Sequence, residues 1–146
     1  MDSLILVFIS GFTATLVMIA IMELTTRAQL ANADMIRAIG SIITKSYDNA
    51  LTPGLLIHFS SGVFFAFIYF YAFGFLLPNK PNLAPVAGLA FGFFHGIVVT
   101  LTVVNVISKY HPLKKFQETG LYMALAHIIG HILYGLSVGV MYSIFS

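Results

Sequence analysis

Long apolar stretches separated by short polar clusters dominate the chain. Charge-free runs cover residues 3–22, 50–79, 81–108 and 119–146, and each reaches the roughly 20 apolar residues that cross a bilayer as a helix. The pattern predicts transmembrane helices at about 3–23, 53–77, 84–108 and 119–145. We therefore expect an all-α integral membrane protein, in which one domain of residues 1–146 forms an antiparallel four-helix bundle.

A shorter pattern lies in the first polar connection. Its apolar residues at helical spacing are Met35, Ile36, Ile39, Ile42 and Ile43. They follow Asp34, a residue type that caps helix N-termini. This spacing predicts a short amphipathic helix over about 34–46, lying on the cytoplasmic leaflet. An ordered loop packed under the bundle is the alternative.

Composition narrows the range of functions. Only 8% of the 146 residues are charged and 59% are hydrophobic, whereas a soluble domain carries about 25% charged residues. The absence of Cys excludes disulfides and thiolate chemistry. No Ser/His/Asp constellation, phosphate loop or carboxylate pair suits a hydrolase, kinase or glycosidase, so a non-catalytic role is favoured. The net charge of +2 comes from few residues, and we expect no nucleic-acid binding.

Basic residues are distributed unevenly between the connections. The first and third connections hold Arg27, Arg37, Lys45, Lys109, Lys114 and Lys115. The second holds only Lys80. The positive-inside rule then predicts that the first and third connections are cytoplasmic and both termini outside. We expect Lys109, Lys114 and Lys115, with His111, to lie among the headgroups, facing anionic lipid or an acidic partner.

Small residues mark the expected helix contacts. Gly88, Gly92 and Gly96 repeat at fourfold spacing in the third span, and Gly135 and Gly139 do so in the fourth. Such stripes let membrane helices approach closely, so they predict a tight contact along the third helix. Two further stripes join histidines to other residues: His58 with Gly62, Phe65 and Tyr69, and His127 with His131, Tyr134 and Tyr142.

The histidines are the main functional candidates. Within the predicted spans lie His58, His95, His127 and His131. Ionisable groups in a membrane are costly and usually face the bundle interior. Counted along the helices, His95 and His131 fall at one level near the midplane, and His58 and His127 at a second level roughly 10 Å nearer the cytoplasm. His95 also projects close to the glycine stripe of its own helix.

Several chemistries suit this set of histidines. One tetrapyrrole, heme b or a (bacterio)chlorophyll, could be ligated by His58, His95, His127 or His131. His127 and His131 are only about 6 Å apart along one helix, too close for two macrocycles. A bare Zn or Fe could instead bind His58, His127 and His131, together with Glu23. Proton conduction and purely structural hydrogen bonding, with no cofactor, are further alternatives.

Short motifs connect the chain to a family. They are Gly11-Phe12-Thr13-Ala14-Thr15, His58-Phe59, Gly88 to Gly92, His131 with Tyr134-Gly135, and Gly139. This layout resembles an uncharacterised family of small four-span bacterial inner-membrane proteins of unknown function. The resemblance implies a bacterial cytoplasmic-membrane location and a four-helix fold. It also implies that His58 and His131 occupy the family's histidine positions, with His95 and His127 as additions.

Few residues lie outside the predicted transmembrane helices, so there is no sizeable soluble domain to hold an active site. We therefore expect a non-catalytic accessory subunit of a larger energy-transducing complex, respiratory or photosynthetic, with its histidines structural or holding one tetrapyrrole. The alternative is a self-standing small b-type cytochrome or a histidine-rich metal-binding membrane protein. A proton or small-solute carrier is the third reading.

Overall fold

The computed structural model describes residues 3–103, 105, 108–118 and 120–146. Its helices are α1 (Ser3–Arg27), α2 (Met35–Thr44), α3 (Leu51–Leu76), α4 (Ala84–Thr102), the single turn α5 (Ser108–Tyr110) and α6 (Leu121–Phe145). Short 3₁₀ turns at Pro81–Leu83 and Lys114–Phe116 complete the connections. Four helices, α1, α3, α4 and α6, are long and apolar enough to cross a membrane, as the sequence predicted.

Regular α-helix geometry stops before the predicted end of the third span. α4 ends at Thr102, but Val103 and Asn105 beyond it are π-helical and the turn α5 begins at Ser108, so the described residues up to 108 remain helical. Residues 104, 106 and 107 of that predicted span, and Thr119 at the predicted start of the last span, lie outside the described residues. α3 begins at Leu51, slightly before the predicted start. Its Pro53 is tolerated because backbone N–H groups in the first turn have no partner inside the helix.

α4 and α6 form the tightest contact in the bundle. A Cβ added at Gly88 would overlap the carbonyl of Gly135, and one added at Gly139 would overlap the carbonyl of Ala84. At Gly92 an added Cβ would meet the backbone of His131. The glycine stripe of α4 therefore packs backbone to backbone on α6, which confirms the predicted close contact.

The remaining long helices arrange themselves around this pair. α1 packs against both α6 and α3, whereas α3 and α4 approach each other at few backbone positions. The α3–α4 contact is made by aromatic rings: Phe73 stacks on Phe91 with centroids 5.6 Å apart, and Tyr69 meets Phe91 edge-on at 5.7 Å. The short connection between α3 and α4 thus joins neighbouring helices that are spaced by side chains.

The predicted short helix is present as α2. Asp34 caps it, since the Asp34 side chain accepts a hydrogen bond of 3.2 Å from the Arg37 backbone N–H. The face packed against the protein consists of small residues, Ala38, Gly40 and Ser41. Gly40 lies against the Ala50 carbonyl, and Gly54 of α3 lies against the Ile36 carbonyl. Ile42 and Ile43 stay exposed, which leaves an apolar edge for another surface.

Candidate functional site

A cavity of about 190 Å³ lies between the four long helices, at the end of the bundle where α2 packs. All four predicted histidines line it: His58 from α3, His95 from α4, and His127 and His131 from α6. The rest of the inner wall is mainly apolar, with Met18, Phe65, Val99 and Met123 among the lining residues. The helices therefore bring the sequence candidates to one partly open cavity.

His95 and His131 touch each other across the α4–α6 contact. Their ring centroids are 4.5 Å apart, in agreement with their predicted common level. The Phe65 ring packs on His95 at 4.1 Å, and the Tyr69 hydroxyl lies 3.2 Å from His95 Nδ1. The close approach of α4 to α6 along the glycine stripe is what allows this ring contact.

His127 has a defined tautomer. Its side chain is 1% exposed, and its Nδ1 lies 2.9 Å from the backbone oxygen of Met123. A carbonyl oxygen only accepts hydrogen bonds, so Nδ1 carries the proton. In a neutral imidazole the other nitrogen, Nε2, then bears a free lone pair. A neutral ring is expected because an unpaired charge in such surroundings is costly.

Within the described ranges, three imidazole nitrogens in this cavity have no protein hydrogen-bond partner. They are the buried Nε2 atoms of His95, His127 and His131. Leaving a buried polar group unsatisfied costs about 1–3 kcal/mol. Most buried polar side-chain atoms in folded proteins are paired, so three unpaired atoms around one space call for a specific explanation.

The Glu23 carboxylate lies away from the histidines. Its side chain is exposed and forms an ion pair of 2.7 Å with Arg27, one turn further along α1. His58 does line the cavity. Across the described ranges, no three His, Asp or Glu side chains converge at metal-binding geometry. Glu23 is therefore not placed to complete an ion site with His58, His127 and His131.

Tyr134 ties the cavity wall together. It is buried on α6, and its hydroxyl donates a hydrogen bond to the backbone oxygen of Gly62 on α3. Its ring also packs edge-on against Tyr69 at 5.8 Å. The sequence placed Tyr134 on the histidine face of its helix, but the bond across the bundle to Gly62 carried no sequence signal.

His111 lies in the interior rather than at the expected headgroup position. It is 3% exposed, its Nε2 lies 2.9 Å from the Ala38 oxygen, and its Nδ1 accepts from the Leu113 N–H at 3.1 Å. Both ring nitrogens are therefore used, with Nε2 as the donor to Ala38. His111 therefore holds the third connection against α2. The neighbouring lysines did not indicate that His111 itself is buried.

Tyr47 fastens the same two segments a second time. Lys115 Nζ lies 3.6 Å from the centroid of the Tyr47 ring, and Arg37 Cζ lies 4.7 Å from it. The Tyr47 hydroxyl donates to Asp34 at 3.0 Å. Partial burial and this hydrogen bond raise the pKa of the Tyr47 phenol above its ordinary value, so it remains a donor. Of the predicted headgroup lysines, Lys109 and Lys114 are exposed, while Lys115 rests on Tyr47.

Comparison with known proteins gives a family and no activity. No curated protein and no solved structure matches the chain. The model of a family of unknown function, DUF6789, matches residues 1–146, so the chain belongs to that family, as the resemblance drawn from its motifs implied.

Proposed function

We propose that this protein spans the bacterial inner membrane as an antiparallel bundle, with both termini outside, and binds one small ligand inside the bundle. The observation that carries the proposal is the set of three buried, unpartnered Nε2 atoms around a single cavity. A bound ligand would satisfy these atoms and remove the cost of burying them. His58 lines the same cavity.

The size of the cavity favours a small occupant. Pockets for drug-sized molecules occupy about 300–1,000 Å³, and this cavity has about 190 Å³. The His95 and His131 rings are in contact, which leaves no space for a macrocycle between them. These dimensions favour a metal ion or a small molecule over heme b or chlorophyll. The tetrapyrrole expected from the sequence is untested.

The ligand must accept electron density from an imidazole. His127 offers a lone pair at Nε2, which can take either an N–H or O–H donor or a metal cation. The contact of His127 Nδ1 with the Met123 carbonyl is the arrangement that commonly orients metal-binding histidines. The contact of His95 with Tyr69 does not fix a tautomer in this way, because a hydroxyl can either donate or accept. Zn and Fe are the ions that suit imidazole ligands here.

Ligand content of the purified full-length protein tests this proposal. Elemental analysis detects a metal, and native mass spectrometry detects a small molecule. We expect a stoichiometric ligand in the wild type and a roughly tenfold or greater loss of affinity in His127→Leu, because the lone pair is removed. Ile129→Ala is the matched control, since Ile129 is exposed on the same turn of α6.

Two results would contradict the proposal. One is a wild-type protein that carries no ligand and fails to bind added Zn²⁺, Fe²⁺ or small hydrogen-bond donors. The other is His127→Leu retaining as much ligand as Ile129→Ala. A metal signal without a small-molecule mass would select the ion, and the reverse result would select the organic ligand.

A role as a non-catalytic subunit of a larger energy-transducing membrane complex is the second candidate. What supports it is the aromatic outer face of α3, where Phe64, Phe67, Tyr71 and Phe75 are exposed. This face suits contact with partner helices, and it suits lipid equally. Co-purification with large membrane proteins in mild detergent supports the subunit role, and a chain that runs alone contradicts it.

A further inference from the structure

A second hollow adjoins the histidine cavity. It is a groove of about 490 Å³ between the α1–α2 connection, the third connection and the start of α6. Its rim carries the exposed charged residues Lys114, Lys115 and Glu118. Four residues line both hollows: Asn32, Lys115, Glu118 and Met123. The groove and the cavity are therefore adjacent, and within the described part of the chain these four side chains border both.

The groove meets the cavity beside His127. Met123 lines both spaces, and its backbone oxygen is the partner of His127 Nδ1. Since residues four apart on a helix lie one above the other, Met123 is one turn closer to the charged rim than His127. A species passing Met123 from the groove would reach the histidine whose lone pair is free.

Two of the residues that border both hollows, Asn32 and Met123, make weak or flexible contacts. Asn32 Nδ2 donates to the Lys115 backbone oxygen at 3.4 Å, near the upper limit for a hydrogen bond. Met123 has a flexible, unbranched side chain that changes rotamer readily. By contrast, Tyr47 and His111 hold the third connection firmly on α2. Side-chain movement can therefore open the passage while the backbone around it stays in place.

We propose that this groove is the aqueous entrance to the histidine cavity. The inference rests on the proposed ligand binding and adds the chemical class of the ligand: a water-soluble species that enters past the charged rim, not a lipid that enters from the bilayer. A small hydrated cation and a small polar molecule share this route, and the ligand analysis described above distinguishes them.

Cysteine accessibility tests the entrance without knowledge of the ligand. The chain has no native Cys, so His127→Cys supplies the only thiol in the full-length protein in vesicles. The probe is the charged reagent 2-(trimethylammonium)ethyl methanethiosulfonate. We expect it to modify His127→Cys roughly tenfold faster than Ile129→Cys, which faces outward on the same helix. Adding Met123→Trp should reverse this gain by filling the passage, and adding Leu125→Trp, on the exposed face, should not.

Equal reaction rates at positions 127 and 129 would contradict the proposal that the groove is the entrance to the cavity. An unchanged rate after adding Met123→Trp would also overturn it, because the reagent would then arrive by another route. If His127→Cys or Met123→Trp does not fold, His58→Cys and Glu118→Trp provide the same comparison at the cavity and at the groove. A protein that shows the expected rates but binds no ligand would contradict the proposed function and leave the passage intact.

Discussion

At the scale of single residues, His127 and His111 contrast sharply. Both are almost fully buried and both are bonded to a backbone oxygen. His111 uses both ring nitrogens, whereas Nε2 of His127 has no partner among the described residues. We therefore expect the imidazole of His111 to stabilise the fold and the unpaired nitrogen of His127 to destabilise it in the absence of a ligand.

Replacing His127 and His111 by leucine should change the free energy of unfolding in opposite directions. His127→Leu removes an unsatisfied nitrogen, and the Met123 oxygen keeps its backbone partner in α6. We expect the ligand-free protein to gain about 1 kcal/mol in free energy of unfolding. His111→Leu should lose about 1–3 kcal/mol, because it leaves the Leu113 N–H without its acceptor and removes the hydrogen bond from the third connection to the Ala38 oxygen of α2.

Reversible unfolding of both variants in detergent measures the difference. Equal destabilisation by the two substitutions would mean that His127 has an ordinary structural role.

At the scale of secondary structure, the sequence identified the elements whose packing is local and repetitive. Gly88, Gly92 and Gly96 predicted the contact of α4 correctly, because in apolar surroundings the smallest side chains mark the closest approach. Helical rise placed His95 level with His131. Asp34 at the start of α2 was also readable, since an N-cap depends only on residues within one turn.

The contacts between the first and third connections could not be predicted from the sequence. Nothing in the periodicity of the third connection distinguishes buried His111 from exposed Lys109, because irregular backbone has no repeat. The lysine at 115 was expected at headgroups, but its position over the Tyr47 ring depends on two distant segments meeting. The unpaired state of the histidine nitrogens likewise follows only from the three-dimensional arrangement.

Gly92→Ala tests the α4–α6 contact. The added methyl would overlap the His131 backbone, and forcing the helices apart should cost about 1–3 kcal/mol. Gly74→Ala is the matched control in α3, where the nearest atom to an added Cβ is the Tyr142 hydroxyl at 3.7 Å. We expect this control to be neutral or to gain up to about 1 kcal/mol from helix propensity.

Thermal unfolding in detergent compares the two glycine variants, and ligand content shows whether movement of His131 also weakens binding. Similar stability of the two variants would indicate that α4 and α6 are less tightly packed than described.

At the scale of the whole molecule, the first and third connections meet at one end of the bundle. Tyr47 and His111 join them, and their shared end is where the sequence concentrates basic residues. Segments that touch lie on the same side of a membrane. The positive-inside rule then predicts that this end, including the groove, faces the cytoplasm.

Sided labelling in intact cells checks that assignment. We expect a membrane-impermeant thiol reagent to modify Lys80→Cys and to spare Lys114→Cys, because only the second connection should face outward. Permeabilised cells should label both positions, which controls for reactivity. Labelling of Lys114→Cys alone in intact cells would reverse the orientation and place the groove outside.

The α4–α6 contact and the α3–α4 contact differ in how they can respond to a bound ligand. α4 and α6 meet backbone to backbone at glycines, so the spacing of these two helices cannot change by side-chain rotation at those positions. α3 faces α4 through Phe65, Tyr69 and Phe73, whose rings can turn without displacing any helix axis. If ligand binding enlarges the cavity, we therefore expect the aromatic side chains between α3 and α4 to move, while the glycine contact between α4 and α6 stays in place.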